Sequence, residues 1–266
     1  MEELVKNMPV VVALDIETTG LNSEEDRIVE IALLKMKDGR ISGRFSSLIN
    51  PEIEIPASGL PVNNIKPSIL KDAPLFRNAA RDIHQFIKNE VLLIQNADFD
   101  IPFLKAEFRR CGMKFPETTV YDTLHIAKTL FSFGKGENSL SSLARAYRLE
   151  VKGMHRAEKD AMLAYEIFCR FMKEKPVDVF NRTRETSEIN YVNTSMILKT
   201  IEDAIDQGRE ICIKYKNRNY ELTTRHIEPV RVFNENGKMY LDAFCSLKNA
   251  GRKFRLDKIL EVIDNI

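Results

Sequence analysis

The sequence predicts an α/β domain, a mixed sheet with helices on both faces, followed by a small all-β domain. Two observations carry that prediction. Up to about residue 175, short β-branched runs alternate with stretches of helical spacing, the pattern of a layered α/β fold. Beyond residue 193, one helical stretch gives way to strand patterns alone. The boundaries follow as 1–175 for the first domain, 176–193 for a linker and 194–266 for the second domain.

Val10 to Ile16 is a run rich in β-branched residues and apolar but for Asp15, as in strands buried on both faces. Ile28 to Lys37 and Ile41 to Ile49 flank Asp38-Gly39, a hairpin signal, so the sheet opens as an antiparallel meander. After a Pro-rich stretch, Ala79, Ala80, Ile83, Phe86 and Ile87 repeat with helical spacing, and Val91 to Ile94 reads as a short buried strand. Helices are expected from about Ile101 to Cys111, with Pro102 near the start and Gly112 as a stop, then over Asp122 to Phe131, Ser139 to Tyr147 and Ala157 to Met172. Pro176 closes the last of these, and Val177 to Asn193 is polar without a sustained period, which reads as a linker. Ile197, Leu198, Ile201 and Ile205 then mark a helix ended by Gly208. Strands follow at Ile211 to Lys216, Tyr220 to Phe233, Met239 to Ser246 and Phe254 to Ile263, with turns at 217–219 and 234–237.

The 266 residues, at roughly 150 per domain, allow one or two domains with real cores. Charged residues at 30% and hydrophobic ones at 44% exclude a disordered or fibrous chain. A formal net charge of +1 gives no global electrostatic case for nucleic acid, so any such footprint must be local. The first residues resemble neither a signal peptide nor a membrane span, which predicts a cytoplasmic protein with no membrane partner. Cys111, Cys169, Cys212 and Cys245 are widely spaced, so they read as reduced thiols rather than a zinc site or disulfide framework.

Asp15 and Glu17 lie two apart on the first strand and so project from one face. An acid pair of this spacing is common by chance and can be a solvated strand end, but after so apolar a run it is costly without a cation or donors. Asp100 stands at the next strand-to-helix junction, where an N-cap is the plain alternative. His155 precedes Asp160 by five residues, the histidine in a loop and the acid about one turn inside a helix, on its apolar face with Ala157, Ala161 and Ala164. Asp122 reads as an N-cap rather than a ligand.

In chain order, D-I-E-T-T-G at 15–20, N-A-D-F-D at 96–100 and H-R-A-E-K-D at 155–160 resemble the three motifs of the DEDDh exonucleases, the family of polymerase proofreading subunits and RNase T. The resemblance spans about Met8 to Met172 and takes in Y-D-T-L at 121–124 and S-L-S-S-L-A at 139–144. It implies an RNase H-like fold in which Asp15, Glu17, Asp100 and Asp160 bind two divalent cations, with His155 as general base. Thr18, Thr19, Gly20, Leu21 and Asn96 would then contact the terminal nucleotide, although the first four also read simply as a turn that Gly20 permits. Gln95 departs from the family, which usually has histidine there. Four carboxylates suit Mg²⁺ or Mn²⁺, hard ions that prefer oxygen ligands, and two such ions can serve both the attacking and the departing oxygen of a phosphodiester.

Local basic clusters in the tail, among them Lys214, Lys216, Arg225, Lys248, Arg252, Lys253 and Arg255, are interleaved with Tyr215, Phe233, Tyr240 and Phe254. I-K-Y-K at 213–216, R-H-I-E-P-V at 225–230, M-Y-L-D-A at 239–243 and R-K-F-R-L-D-K-I at 252–259 resemble a WYL domain, with Met239 where tryptophan is usual. That resemblance implies a small Sm-like β-barrel in which Arg225, Tyr240, Arg252 and Arg255 line an anion-binding face. Together the two resemblances imply a 3′-to-5′ exonuclease acting on single-stranded nucleic acid, DNA ahead of RNA, with a tail that holds or senses nucleic acid. The alternatives are an RNA-trimming exoribonuclease and a ligand-sensing regulator.

Overall fold

The structure is a computed structural model, and it describes residues 9–55, 65–131, 133, 137–189, 194–217, 222–235 and 238–263. The chain divides into two compact units, Met1–Tyr191 and Val192–Ile266.

In the first unit β1 (Val11–Thr18), β2 (Ile28–Lys37) and β3 (Arg40–Leu48) form the expected antiparallel meander. Asp38 and Gly39 join β2 to β3 with φ of 51° and 74°, as a two-residue hairpin requires. β4 (Leu92–Ile94) and β5 (Thr119–Asp122) add in parallel beyond β1, and β6 (Thr183–Glu185) closes that edge antiparallel. The order is β3-β2-β1-β4-β5-β6.

The alternation of β1 sorts the layers. Val12, Leu14 and Ile16 pack with α2 (Phe76–Ile87) and α3 (Ala97–Arg110), which follow the short α1 (Pro67–Leu70). Val11 and Ala13 pack on the other face with α4 (Thr123–Leu130), α5 (Leu140–Ala146) and α6 (Ala157–Glu174). Asp15 and Glu17 continue the second series, so they point toward the α6 layer.

Two expectations are corrected here. The segment 176–193 is no linker up to Ile189, because it forms α7 (Pro176–Phe180), then β6, then a 3₁₀ turn, with Ile189 buried in the core; 190–193 lie outside the described residues. Its polar character is that of an exposed edge strand. Helix α3 begins at Ala97 rather than near Ile101, which puts Pro102 inside it. The Asp122 carboxylate, reaching across from β5, accepts from the amides of Asn96 and Ala97 and so starts the helix early.

The second unit packs α8 (Thr194–Asp206) on a five-stranded antiparallel sheet. Its strands are β7 (Ile211–Lys216), β8 (Leu222–Glu235), β9 (Lys238–Cys245), β10 (Ala250–Arg255) and β11 (Ile259–Ile263), in the order β10-β9-β8-β7-β11. Tyr220 and parts of both expected turns lie outside the described residues. The expected closed barrel is corrected to an open sheet, since among the described residues β10 pairs with β9, β11 with β7, and neither edge with the other. A three-residue 3₁₀ turn, Leu256–Lys258, carries the chain from one edge to the other. It can span at most about 15 Å, whereas five flat strands are about 19 Å across, so the sheet curls. The same turn leaves the extended conformation where a closing ladder would have to begin.

Candidate active site

The end of β1 and the first turn of α6 bring three of the expected acids together. Carboxylate oxygens of Asp15, Glu17 and Asp160 all lie within 4.8 Å of one another. Asp100, buried in the first turn of α3, stands beside the two β1 acids rather than within that group, and accepts a hydrogen bond from the Ile16 amide between them. It is therefore not the N-cap of α3, a position held by Asn96 in the left-handed region with φ of 74°.

Loss of solvent pushes the Asp15, Asp100 and Asp160 carboxyls above their ordinary range. Asp15 is lifted further by the charges of Asp100, Asp160, Glu17 and Glu30. Asp160 is 7% exposed, and its Oδ2 accepts from the His155 backbone N–H at 3.1 Å. Its Oδ1 is buried with no hydrogen-bond partner among the described residues. A buried acceptor left open beside the Asp15 and Glu17 carboxylates is a costly arrangement for the protein alone and a fitting one for a hard divalent cation. The donor set is all oxygen, which suits Mg²⁺ or Mn²⁺. His155 itself is exposed, two residues before the start of α6, with φ of 65°.

The loop after β1 is firmly tied. The Asp26 carboxylate accepts from the Thr19 hydroxyl at 3.0 Å and the Asn22 amide at 2.9 Å. Arg27, next in the chain, makes a two-bond pair with the buried Glu107 of α3, at 2.6 and 3.0 Å. Gly20 is required by close approach rather than by a special backbone angle, because a Cβ there would lie 2.4 Å from the Asp26 carboxylate. Thr18 donates to the Gly20 carbonyl at 2.6 Å, and Leu21 is left 84% exposed on this fixed loop.

Gln95, the departure from the family pattern, donates to the Asn138 carbonyl at 3.1 Å and accepts from the Thr123 hydroxyl. One donor and one acceptor are what a neutral imidazole offers, so the amide can serve in its stead. Asp122 is an N-cap as expected, for α4 as well as for the amides of α3. The sequence reading missed Glu30, Arg156 and Arg184. Glu30 carried the signal used for Asp15, an acid inside an apolar run, IVEIALL. Arg184 carried none.

In the second unit a cleft of about 440 Å³ is lined by Tyr215, Asn217, Arg225, Lys248, Arg252 and Phe254, among others. Tyr240 and Arg255 do not line it. They oppose each other across the β9–β10 ladder, on the face where Tyr240 stacks on Phe233 at 5.8 Å and Lys253 lies over both rings. Arg252 and Arg255 are three apart on one strand, so their side chains leave opposite faces. Of the four residues expected on one face, the cleft thus takes in Arg225 and Arg252, while Tyr240 and Arg255 lie outside it.

Comparison with known proteins agrees with this geometry. A family model described as Exonuclease, RNase T, matches residues 12–168, and a WYL domain model matches 196–263. The DNA polymerase III subunit epsilon of Treponema pallidum (strain Nichols) is 40% identical over 157 residues, 59% of this chain and 73% of that protein. The subunit of the same name from Rickettsia typhi (strain ATCC VR-144 / Wilmington) is 32% identical over 220 residues, 76% of this chain and 95% of that protein. Among solved structures, the nuclease domain of 3′hExo, a DEDDh family member bound to rAMP, superposes with a TM-score of 0.55 at 14% identity, covering 64% of this chain and 94% of that one. Exonuclease I of E. coli in complex with a dT13 oligonucleotide gives 0.58 at 13% identity, covering 97% and 66%. At such identities the likeness is one of fold. The chain therefore belongs to the RNase T exonuclease family, a 3′–5′ exonuclease of the DEDDh kind with an RNase H-like fold, followed along the chain by a WYL domain.

Proposed function

We propose that this protein removes nucleotides from the 3′ ends of single-stranded DNA as nucleoside 5′-monophosphates, in the cytoplasm. The observation that carries the reading is the open, buried Oδ1 of Asp160 gathered with the Asp15 and Glu17 carboxylates. Asp15, Glu17, Asp100 and Asp160 hold two divalent cations, Mg²⁺ or Mn²⁺. When bound, those ions neutralise charge on the phosphoryl oxygens and stabilise the departing 3′ oxygen. His155 takes the proton of the attacking water, the general-base role that an imidazole within reach of that water can fill. Its main-chain N–H is engaged by Asp160, which anchors the backbone from which the exposed imidazole projects. Thr18, Thr19, Gly20, Leu21 and Asn96 orient the terminal nucleotide, and the ties from Asp26 and Arg27 keep that loop preorganised.

The DNA preference draws on the polymerase subunits among the relatives and on the dT13-bound exonuclease I. RNA is the second reading, favoured by the rAMP-bound member of the fold. In the WYL domain, Arg225, Lys248 and Arg252 hold phosphates of the strand in the cleft, while Tyr240 and Arg255 offer a stacking and cationic surface on the opposite face. The test is to incubate the protein with 5′-labelled single-stranded DNA and RNA of one sequence in Mg²⁺, Mn²⁺ or EDTA. Stepwise shortening from the 3′ end, faster on DNA and abolished by EDTA, is expected. Faster RNA trimming would select the second reading, and activity in EDTA would overturn the metal assignment.

A further inference from the structure

We propose that Glu30 and Arg156 act as a positioning pair for this active site, holding the start of α6 so that Asp160 and His155 meet the acids of β1; the proposal rests on the reading of the site given above. Glu30 is a fifth carboxylate on the active-site face. It lies directly opposite Glu17 in the β1–β2 register and is only 4% exposed. Like charges facing each other across a ladder are unfavourable. Here the Arg156 guanidinium answers the second charge, donating from Nε to both Glu30 oxygens, at 3.1 and 3.0 Å, and from Nη2 at 2.8 Å.

Glu30 also replaces the cap that the local sequence lacks. The N-cap position of α6 is held by Arg156 itself, whose side chain cannot accept a hydrogen bond and caps nothing. The Ala157 amide donates instead to Glu30 Oε2 at 3.2 Å, so the helix is started from strand β2. Both active-site residues of this segment hang from that one anchor, His155 a residue before Arg156 and Asp160 one turn after it. His155 keeps a left-handed backbone with φ of 65°, a conformation that persists in a non-glycine residue when its surroundings enforce it. The His155 N–H to Asp160 Oδ2 bond closes the same turn, leaving Oδ1 open to the other acids.

The roles are separable by substitution. Arg156→Lys keeps a charge but loses the planar fork, and Glu30→Gln keeps an acceptor for the Ala157 amide but loses the charge. The measurements are kcat and KM for release from a short single-stranded oligonucleotide, Mn²⁺ affinity by calorimetry, and the melting temperature. Removing a residue that orients a metal ligand typically costs about 10- to 100-fold in metal affinity or activity. Glu30→Ala and Arg156→Ala are therefore each expected to lower kcat by about that factor and to weaken Mn²⁺ binding, with KM changed by less than about threefold. Glu30→Gln and Arg156→Lys should recover part of the loss, and the double alanine variant should be no worse than the worse single one, because both act through one pair. Variants that melt earlier yet keep kcat and Mn²⁺ affinity would reduce the pair to a stabilising contact and overturn the proposal. If Glu30→Ala fails to fold, the Gln and Lys variants carry the same decision. Asp160→Asn serves as the companion. If it is inactive while the Glu30 and Arg156 variants keep kcat, only the positioning role fails; if it stays fully active, the site reading fails and the proposal with it.

Discussion

Arg184 donates to the Asp122 carboxylate at 3.1 Å, and the two oxygens of that carboxylate also receive four backbone amides, from Asn96, Ala97, Leu124 and His125. One buried acid thus caps two helices. The guanidinium comes from β6, and its other nitrogen holds Asp98 in the first turn of α3 at 2.6 Å. Through this node the edge strand helps fix the helix that delivers Asp100. Arg184→Met leaves Asp122 buried with only its amide donors, so a stability loss of about 2–3 kcal/mol is expected by urea denaturation. A loss below about 0.5 kcal/mol would show that the four amides suffice.

Gly20→Ala tests the loop that follows β1. A methyl at 2.4 Å from a carboxylate already held by Thr19 and Asn22 forces the loop or Asp26 to move. The fold should survive, with stability lowered by about 1–2 kcal/mol, while KM for a short oligonucleotide rises several-fold. An unchanged KM would mean that residues 18–21 do not touch the nucleotide.

The carboxylate cluster makes a pH-dependent prediction for the metal-free protein. Asp15, Asp100 and Asp160 have folded-state pKa values raised above the ordinary one near 3.8. Groups raised in this way stabilise the fold fully below the unfolded pKa, and that stability is lost as the pH climbs through the folded value. Asp15→Asn removes one of the repelling charges. In EDTA at pH 7.5 it should therefore melt several degrees above the parent, with the gap closing as the pH falls toward about 4. Mn²⁺ should raise the parent's melting point more than the variant's. A variant that melts at or below the parent at neutral pH in EDTA would mean that the acids are not strained without a cation.

The split of the C-terminal cations between two faces predicts unequal roles. If the cleft contacts phosphate, Arg225→Ala with Arg252→Ala should weaken binding to a long single strand. It should also lower the slope of log affinity against log salt by about 0.7 per lost contact. Fluorescence anisotropy at three or four salt concentrations measures both. An unchanged slope would point to a small ligand or a protein as the occupant of the cleft.

What could be read from the chain was local. Asp38-Gly39 announced its hairpin because two residues with positive φ are a chemical requirement of that turn. Asp15 and Asp160 stood out because an acid in an apolar run has to be accounted for. What escaped notice depended on distant partners or on strand parity. β6 is three residues with only its middle one, Arg184, half-buried, too short for any period, and matters through that residue. The start of α3 was misplaced because Pro102 is a local cue whereas Asp122 caps from another strand. Tyr240 and Arg255 were grouped with Arg225 and Arg252 by motif, although an odd spacing along β10 had already put Arg252 and Arg255 on opposite faces.

The central claim is that the acids of β1, α3 and α6 hold the metal while His155 moves the proton. It is tested most directly by measuring mononucleotide release from a 3′-labelled single strand alongside calorimetric Mn²⁺ titration, for the parent, Asp160→Asn and His155→Ala. The parent should bind Mn²⁺ and release labelled nucleoside 5′-monophosphate, and Asp160→Asn should lose binding and release together. His155→Ala should keep its Mn²⁺ while its rate falls about 10²- to 10⁴-fold. An active Asp160→Asn, or a His155→Ala that loses Mn²⁺ along with its activity, would contradict that division of labour.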